Sequence, residues 1–278
     1  MFTKVEVRNS QGALLTLQLG DTSNGYNVLD ITGLDPVKAT LVGSSFANQD
    51  GAVFQSSRRD TRQIGFKIGF DVDYSTTSLR TLRNNLYTLF RTETEVQLKF
   101  YMEDFIDGQE DGYIIYGRVE SCQSPMFSQT PEVDVTLICY DPDFVDPVPT
   151  VVSGMTTGDP TATLINYAGT TETGYVFTIN INRTLSEFVI YNTDGNNVTT
   201  SMDVVNPFLS GDVVTISTVP GNKYATLLRS GVSSSILYAV SLQSNWAKFA
   251  PGNNWVRASA AGVGVPCSIS YNKRFGAL

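Results

Sequence analysis

Five carboxylates fall within nine residues in the stretch Glu103-Asp104-Phe105-Ile106-Asp107-Gly108-Gln109-Glu110-Asp111. Clustered carboxylates support two kinds of chemistry, acid-base cleavage of a glycosidic bond and oxygen ligation of a hard cation. The spacing does not follow the EF-hand loop, and an acidic hairpin tip is the plainer alternative. The chain contains no histidine. The usual Ser-His and Cys-His nucleophile pairs and the His-rich sites of catalytic zinc are therefore excluded, which leaves carboxylate, Lys or Tyr chemistry. With 27 Asp and Glu in all, some pairs lie close by chance, so the expectation is a protein that is not an enzyme, with no catalytic, cofactor or metal-binding residue.

Arg58-Arg59-Asp60-Thr61-Arg62 is the dense positive cluster. Arginine pairs with phosphate bidentately, which suggests nucleic acid. The surrounding charge argues against it: residues 1–149 hold 12 Lys+Arg and 21 Asp+Glu, a net of -9, opposite to the footprint of a DNA-binding domain. Residues 150–278 hold 7 and 6, a net of +1. Arg58, Arg59 and Arg62 are read as contacts to an acidic surface of a neighbouring subunit or partner, with a solvated loop as the alternative. Cys122, Cys139 and Cys267 are odd in number and lack CxxC spacing, so they are expected as buried free thiols.

The elements carrying these residues are mostly strands. Glu132–Cys139 alternates so that Val133, Val135, Leu137 and Cys139 share one face. Similar patterns cover 4–8, 13–19, 64–72, 96–102 and 113–119, then 175–181, 187–191, 213–217, 223–228, 255–258 and 268–271. One helix is expected, capped by Ser75 or Thr77, with Leu79, Leu82, Leu86 and Leu89 on one face and Arg80, Arg83 and Arg91 elsewhere. Between strands, 43–62 reads as a long polar loop. Three prolines in Asp141-Pro142-Asp143-Phe144-Val145-Asp146-Pro147-Val148-Pro149 read as a stiff linker, dividing the chain into domains 1–145 and 146–278. The fold class is mainly β: an N-terminal sheet or sandwich with one covering helix, then an all-β second domain. No run reaches the length of a membrane span, and the start lacks a signal-peptide layout, so the chain is expected to be made in a cytoplasm without membrane insertion.

Four features occur in a fixed order: Gly33-Leu34-Asp35-Pro36, a long polar loop with Asp50-Gly51, the amphipathic helix, and a strand entering Tyr140-Asp141-Pro142-Asp143-Phe144. The second half adds Ser210-Gly211-Asp212-Val213, Pro220-Gly221-Asn222-Lys223 and Ser244–Asn254 with its Pro251-Gly252-Asn253-Asn254 turn. In this order the chain resembles the distal tail protein family of long-tailed, non-contractile bacteriophages, over nearly its whole length.

The resemblance implies a structural protein of the virion, located at the phage tail tip after assembly in the host cytoplasm. It implies a ring, usually of six subunits, built by the first domain. The second domain would be a galectin-like β-sandwich. Implied partners are further copies of itself, the tail tube protein, the tail-tip or baseplate hub protein and a receptor-binding protein. DNA would pass through the ring without specific binding. Glu103, Asp104, Asp107, Glu110 and Asp111 then become candidate channel-lining acids that repel phosphate. Trp246 and Trp255 become candidate saccharide contacts, against the plainer reading of core or rim packing. A carbohydrate-binding adhesion module and a carboxylate-based glycosidase are the alternatives.

Overall fold

The computed structural model describes residues 2–48, 50–103, 110–125 and 131–278. The chain is mainly β, with a single α-helix among the described residues, which is the class the alternation predicts. It divides into two compact units, Met1–Pro147 with Gly276–Leu278, and Val148–Phe275. The chain therefore leaves the first unit and returns to it for its last three residues.

Along the first unit run β1 (Phe2–Asn9), β2 (Leu14–Gln18), β3 (Tyr26–Thr32), β4 (Ala39–Ser44), β5 (Val53–Arg59), β6 (Arg62–Phe70), the helix α1 (Leu79–Leu89), β7 (Glu95–Glu103), β8 (Glu110–Gln123), β9 (Glu132–Cys139) and β10 (Phe144–Val145). Seven strands follow one another in the order β2-β1-β7-β8-β9-β6-β3. Period-two alternation turns Val5, Val7, Ile64, Phe66, Ile68, Val96, Leu98, Phe100, Val133, Val135 and Leu137 inward, and all are buried. Leu82, Leu86 and Leu89 of α1 complete this core, each contributing about 1.5–3 kcal/mol by leaving water. Phe66 links sheet to helix, stacking on Phe100 and tilting against Phe90, both at 6.3 Å.

The helix starts at Ser78, whose Oγ accepts from the Thr81 N–H at 3.2 Å, rather than at Ser75 or Thr77. Ser75 is unavailable because its N–H and its hydroxyl both donate to Asp73 Oδ1. The Thr76 and Thr77 amides donate to the Asp73 carbonyl, closing a turn just before the helix.

Two expectations fail here. Residues 43–62 are not a loop: β4 and β5 form an antiparallel hairpin, with Leu41 opposite Ser57 and Gly43 opposite Phe54. Nor is the proline segment a linker throughout. Phe144 is fully buried, edge-on to Phe100 at 5.7 Å, and Val145 pairs with Ile114 of β8. Proline excludes its own N–H from a ladder but leaves the residues after it free to pair at a sheet margin.

The second unit is a β-sandwich. Its strands are β11 (Thr150–Met155), β12 (Thr163–Tyr167), β13 (Val176–Asn180), β14 (Leu185–Thr193), β15 (Thr199–Phe208), β16 (Val213–Ser217), β17 (Tyr224–Arg229), β18 (Val232–Ser235), β19 (Gly252–Ala260) and β20 (Pro266–Tyr271). One sheet has the order β11-β20-β13-β16-β17-β18 and the other β12-β19-β14-β15. Phe177, Ile179, Phe188, Ile190, Val204, Phe208, Val214 and Ile216 fill the space between them. No helix among the described residues is long and apolar enough to cross a membrane.

Candidate functional site

The arginine cluster that reads as one patch has three separate environments. Arg62, at the start of β6, is 1% exposed. Its Nε donates to the Pro142 carbonyl and its Nη1 to the Asp35 carbonyl, both at 2.7 Å, and further bonds reach the carbonyls of Gly33 and Gly276. The guanidinium plane lies 4.5 Å over the Phe144 ring. Burial lowers its pKa, offset only in part by the nearby Asp143 and Asp35 carboxylates, and a guanidinium is basic enough to stay a cation. Arg59, the last residue of β5, grips the buried Asp143 with both guanidinium nitrogens. Arg58 is exposed, and its side chain has no ion-pair or hydrogen-bond partner among the described residues. Arg59 and Arg62 thus make contacts within their own unit, Arg59 with part of its side chain still exposed, and Arg58 is open to a neighbour.

Of the candidate channel acids, Glu103 ends β7 and is exposed, with Glu110 opposite it and Asp111 opposite Met102 in the β7–β8 register. Asp104 and Asp107 lie outside the described residues. Trp246 is half-buried against the second unit's core, with Lys223 Nζ 5.6 Å from its ring centroid. Trp255 is half-buried in β19, across from Leu164 of β12 on one side and Thr193 of β14 on the other.

The motifs that carry the resemblance are turns held by specific side chains. Gly211 adopts φ +95°, and the following Asp212 is buried, accepting from the Leu209 N–H and from Arg229 Nε and Nη2. Those Arg229 bonds hold the Asp212 carboxyl below its ordinary pKa, assisted by the Leu209 amide. In the late turn Gly252 takes φ +93°, while the fully buried Asn254 side chain bonds both the amide and the carbonyl of Ala250 and the carbonyl of Gly252. These groups shape loops and are satisfied internally.

Cysteine chemistry is equally quiet. Burial raises the thiol pKa of Cys122 to about 11 and of Cys139 to about 12, and also raises that of Cys267, so all three stay protonated at neutral pH.

Sequence reasoning missed the β4–β5 hairpin. Leu41 is 70% and Phe54 64% exposed, and Val42, Phe46 and Val53 are also open to water. Every residue of β5 is exposed. The available signal was the pair of short apolar runs, Leu41-Val42 and Val53-Phe54, either side of Asp50-Gly51. It was masked by the hydroxyl-rich residues around it. An isolated two-stranded hairpin is marginal in water, and exposed apolar side chains such as these are of the kind found at contact surfaces.

Residues 168–275 match the family model described as siphovirus-type tail component, C-terminal domain. A search of curated protein sequences finds no match. Among solved structures, the SPP1 Dit protein, described as a paradigm of hub adsorption apparatus in phages infecting Gram-positive bacteria, aligns with TM-score 0.70 over 98% of this chain and 99% of that one, at 19% identity. The phage P2 baseplate in its activated conformation with Ca aligns at TM-score 0.48 and 8% identity over the full length of both chains. A fructofuranosidase of Schwanniomyces occidentalis aligns at TM-score 0.22 and 9% identity, over 94% of this chain and 62% of that one, too distant to bear on chemistry.

Proposed function

With residues 168–275 a siphovirus-type tail component domain, we propose that this chain is a distal tail protein, a structural component of a siphophage tail tip that acts by geometry and not by catalysis. The family match is the observation that carries this reading, and the whole-chain likeness in fold to a phage hub protein supports it. In this reading the first unit, rich in carboxylates, assembles head-to-tail into a closed ring of six. One face of the ring meets the tail tube protein and the other the tail-tip or baseplate hub protein. The lumen continues the DNA channel, and the second unit positions host-recognition proteins. The exposed hairpin β4–β5 supplies the apolar patch a ring contact needs, with Arg58 at its base ready to pair with an acidic group and fix orientation.

The reading is tested by mass and shape. Six copies of a 30.3 kDa chain make a particle of about 180 kDa. Multi-angle light scattering across a wide concentration range, with negative-stain electron microscopy, should find ring particles of that mass, alone or with the tube and tip proteins added. Monomers and dimers under every condition would sink the ring.

A further inference from the structure

The segment Tyr74–Thr92 carries Arg80, Arg83 and Arg91 and no Asp or Glu. The rest of residues 1–149 then holds 12 - 3 = 9 Lys+Arg against 21 Asp+Glu, a net of -12. The helix and its flanks thus form a stretch with cations and no acids in an otherwise acidic unit. Arg80, Asn84 and Tyr87 recur at i, i+4 and i+7, forming one stripe away from the buried Leu82, Leu86 and Leu89, and these three and Arg91, just past the helix end, are exposed. The side chains of Arg80 and Arg91 have no ion-pair or hydrogen-bond partner among the described residues.

Helix electrostatics accounts for only one of them. A cation just past the C-terminus, as Arg91 is, interacts favourably with the helix dipole. Arg80 lies in the first turn, where a cation is unfavourable, and that turn contains no acid to offset it. Arginine and tyrosine are the residue types enriched at interface anchors, and here two arginines flank an exposed tyrosine.

We propose that the outer face of α1 and its C-terminal flank, through Arg80, Tyr87 and Arg91, dock on the acidic surface of the first unit of a second copy of this chain. The inference rests on the ring reading and deepens it. A basic patch and an acidic remainder on one unit can pair from copy to copy, whereas a two-fold contact centred on α1 itself would set arginine against arginine. The charge layout therefore disfavours a two-fold contact centred on α1.

The test compares wild type with Arg80→Glu/Arg91→Glu, the neutral Arg80→Gln/Arg91→Gln and the conservative Arg80→Lys/Arg91→Lys, by light scattering at about 0.05 M and about 1 M salt. Lys223→Glu/Lys248→Glu, which changes net charge equally but in the second unit, is the control. The expected result is a rise of about tenfold or more in the half-assembly concentration for the Glu pair. The Gln pair should be intermediate, the Lys pair near wild type, the control unchanged, and high salt should weaken wild-type assembly. If the Glu pair unfolds, the folded Gln pair decides alone. Wild-type assembly by the Glu or Gln pair, or equal loss in the control, overturns the docking face while leaving the ring intact. A wild type that never exceeds a dimer overturns both.

Discussion

Arg62 in β6 and Gly276 are joined by a hydrogen bond from the guanidinium Nη2 to the main-chain carbonyl, across 214 residues of sequence. The same side chain holds the carbonyls of Gly33, Asp35 and Pro142, so one cation ties four separate stretches of the first unit. No side-chain carboxylate is among these acceptors; main-chain dipoles and the face of Phe144 meet the charge directly, and the nearby Asp143 and Asp35 carboxylates add to its support.

Arg62→Ala should therefore destabilise the first unit by about 3–5 kcal/mol, since the buried carbonyls lose their donors and the space is not refilled. Arg62→Lys should recover only part of this, because an ammonium has three donors and no planar fork. Urea denaturation read by tryptophan-independent circular dichroism measures both. A loss under 1 kcal/mol for Arg62→Ala would show that the network is incidental.

The hairpin predicts a separation of stability from assembly. Leu41→Asp with Phe54→Asp should move the folding free energy by no more than about 0.5 kcal/mol, as at other exposed sites. The same pair should raise the concentration for self-assembly by about tenfold or more. Light scattering beside thermal melts reads both, and a melt that shifts together with assembly would mean that the hairpin is needed for folding instead.

How far the sequence reveals the molecule depends on what each strand faces. Strands with one face on a core announce themselves through alternation, as Val133, Val135, Leu137 and Cys139 do. The hairpin strands have no core face within the chain, so alternation carries no signal for them and polar residues suggest a loop. The arginine cluster misleads for a related reason: adjacency in sequence conceals that Arg58 is exposed while Arg62 is sealed inside. Prolines after Asp141 suggest that strand pairing stops there, whereas Asp143 and Phe144 are buried and Phe144–Val145 form β10 before the chain leaves the first unit. The second-half motifs give turn positions well, because Gly211 and Gly252 need positive φ.

Asp212 makes the second unit acid-sensitive in a stated direction. Its folded pKa is depressed, so its stabilising contribution is fully present above the unfolded value near about 3.9 and is lost as pH falls through the folded value. Asp212→Asn should lower the melting temperature at pH 7, with the gap to wild type closing in strong acid. A gap that stays constant from pH 7 to pH 2 would rule out the charged pair with Arg229 as its cause.

Thiol labelling tests the raised pKa values. At pH 8 a thiol with pKa near 11 is thiolate only about one part in a thousand, and Cys139 is buried as well. Ellman's reagent should leave Cys139 unmodified in native protein and modify it in guanidinium chloride. Rapid native labelling of Cys139 would mean that β9 opens readily.

The acidic end of the β7–β8 pair, where Glu103 lies opposite Glu110, is a candidate rim of the proposed channel. Repeated by ring symmetry, such acids would repel phosphate over a screening length of about 8 Å at physiological salt. Glu110→Gln with Asp111→Asn should give assembled tails whose DNA ejection slows severalfold. Failure of tail assembly would mark a contact surface instead and remove the channel role.

A joint built from one guanidinium and main-chain carbonyls has an uneven tolerance for genetic change. Any residue supplies a carbonyl, so as far as this joint is concerned positions 35, 142 and 276 can drift without weakening it. Gly33 is held for another reason, its φ of +87° and a Cβ position that would run into the Gln63 carbonyl. Position 62 has no substitute. Among diverging relatives that keep this joint, mutation should wear away the acceptor side chains first and leave a solitary buried arginine as the fossil of the closure.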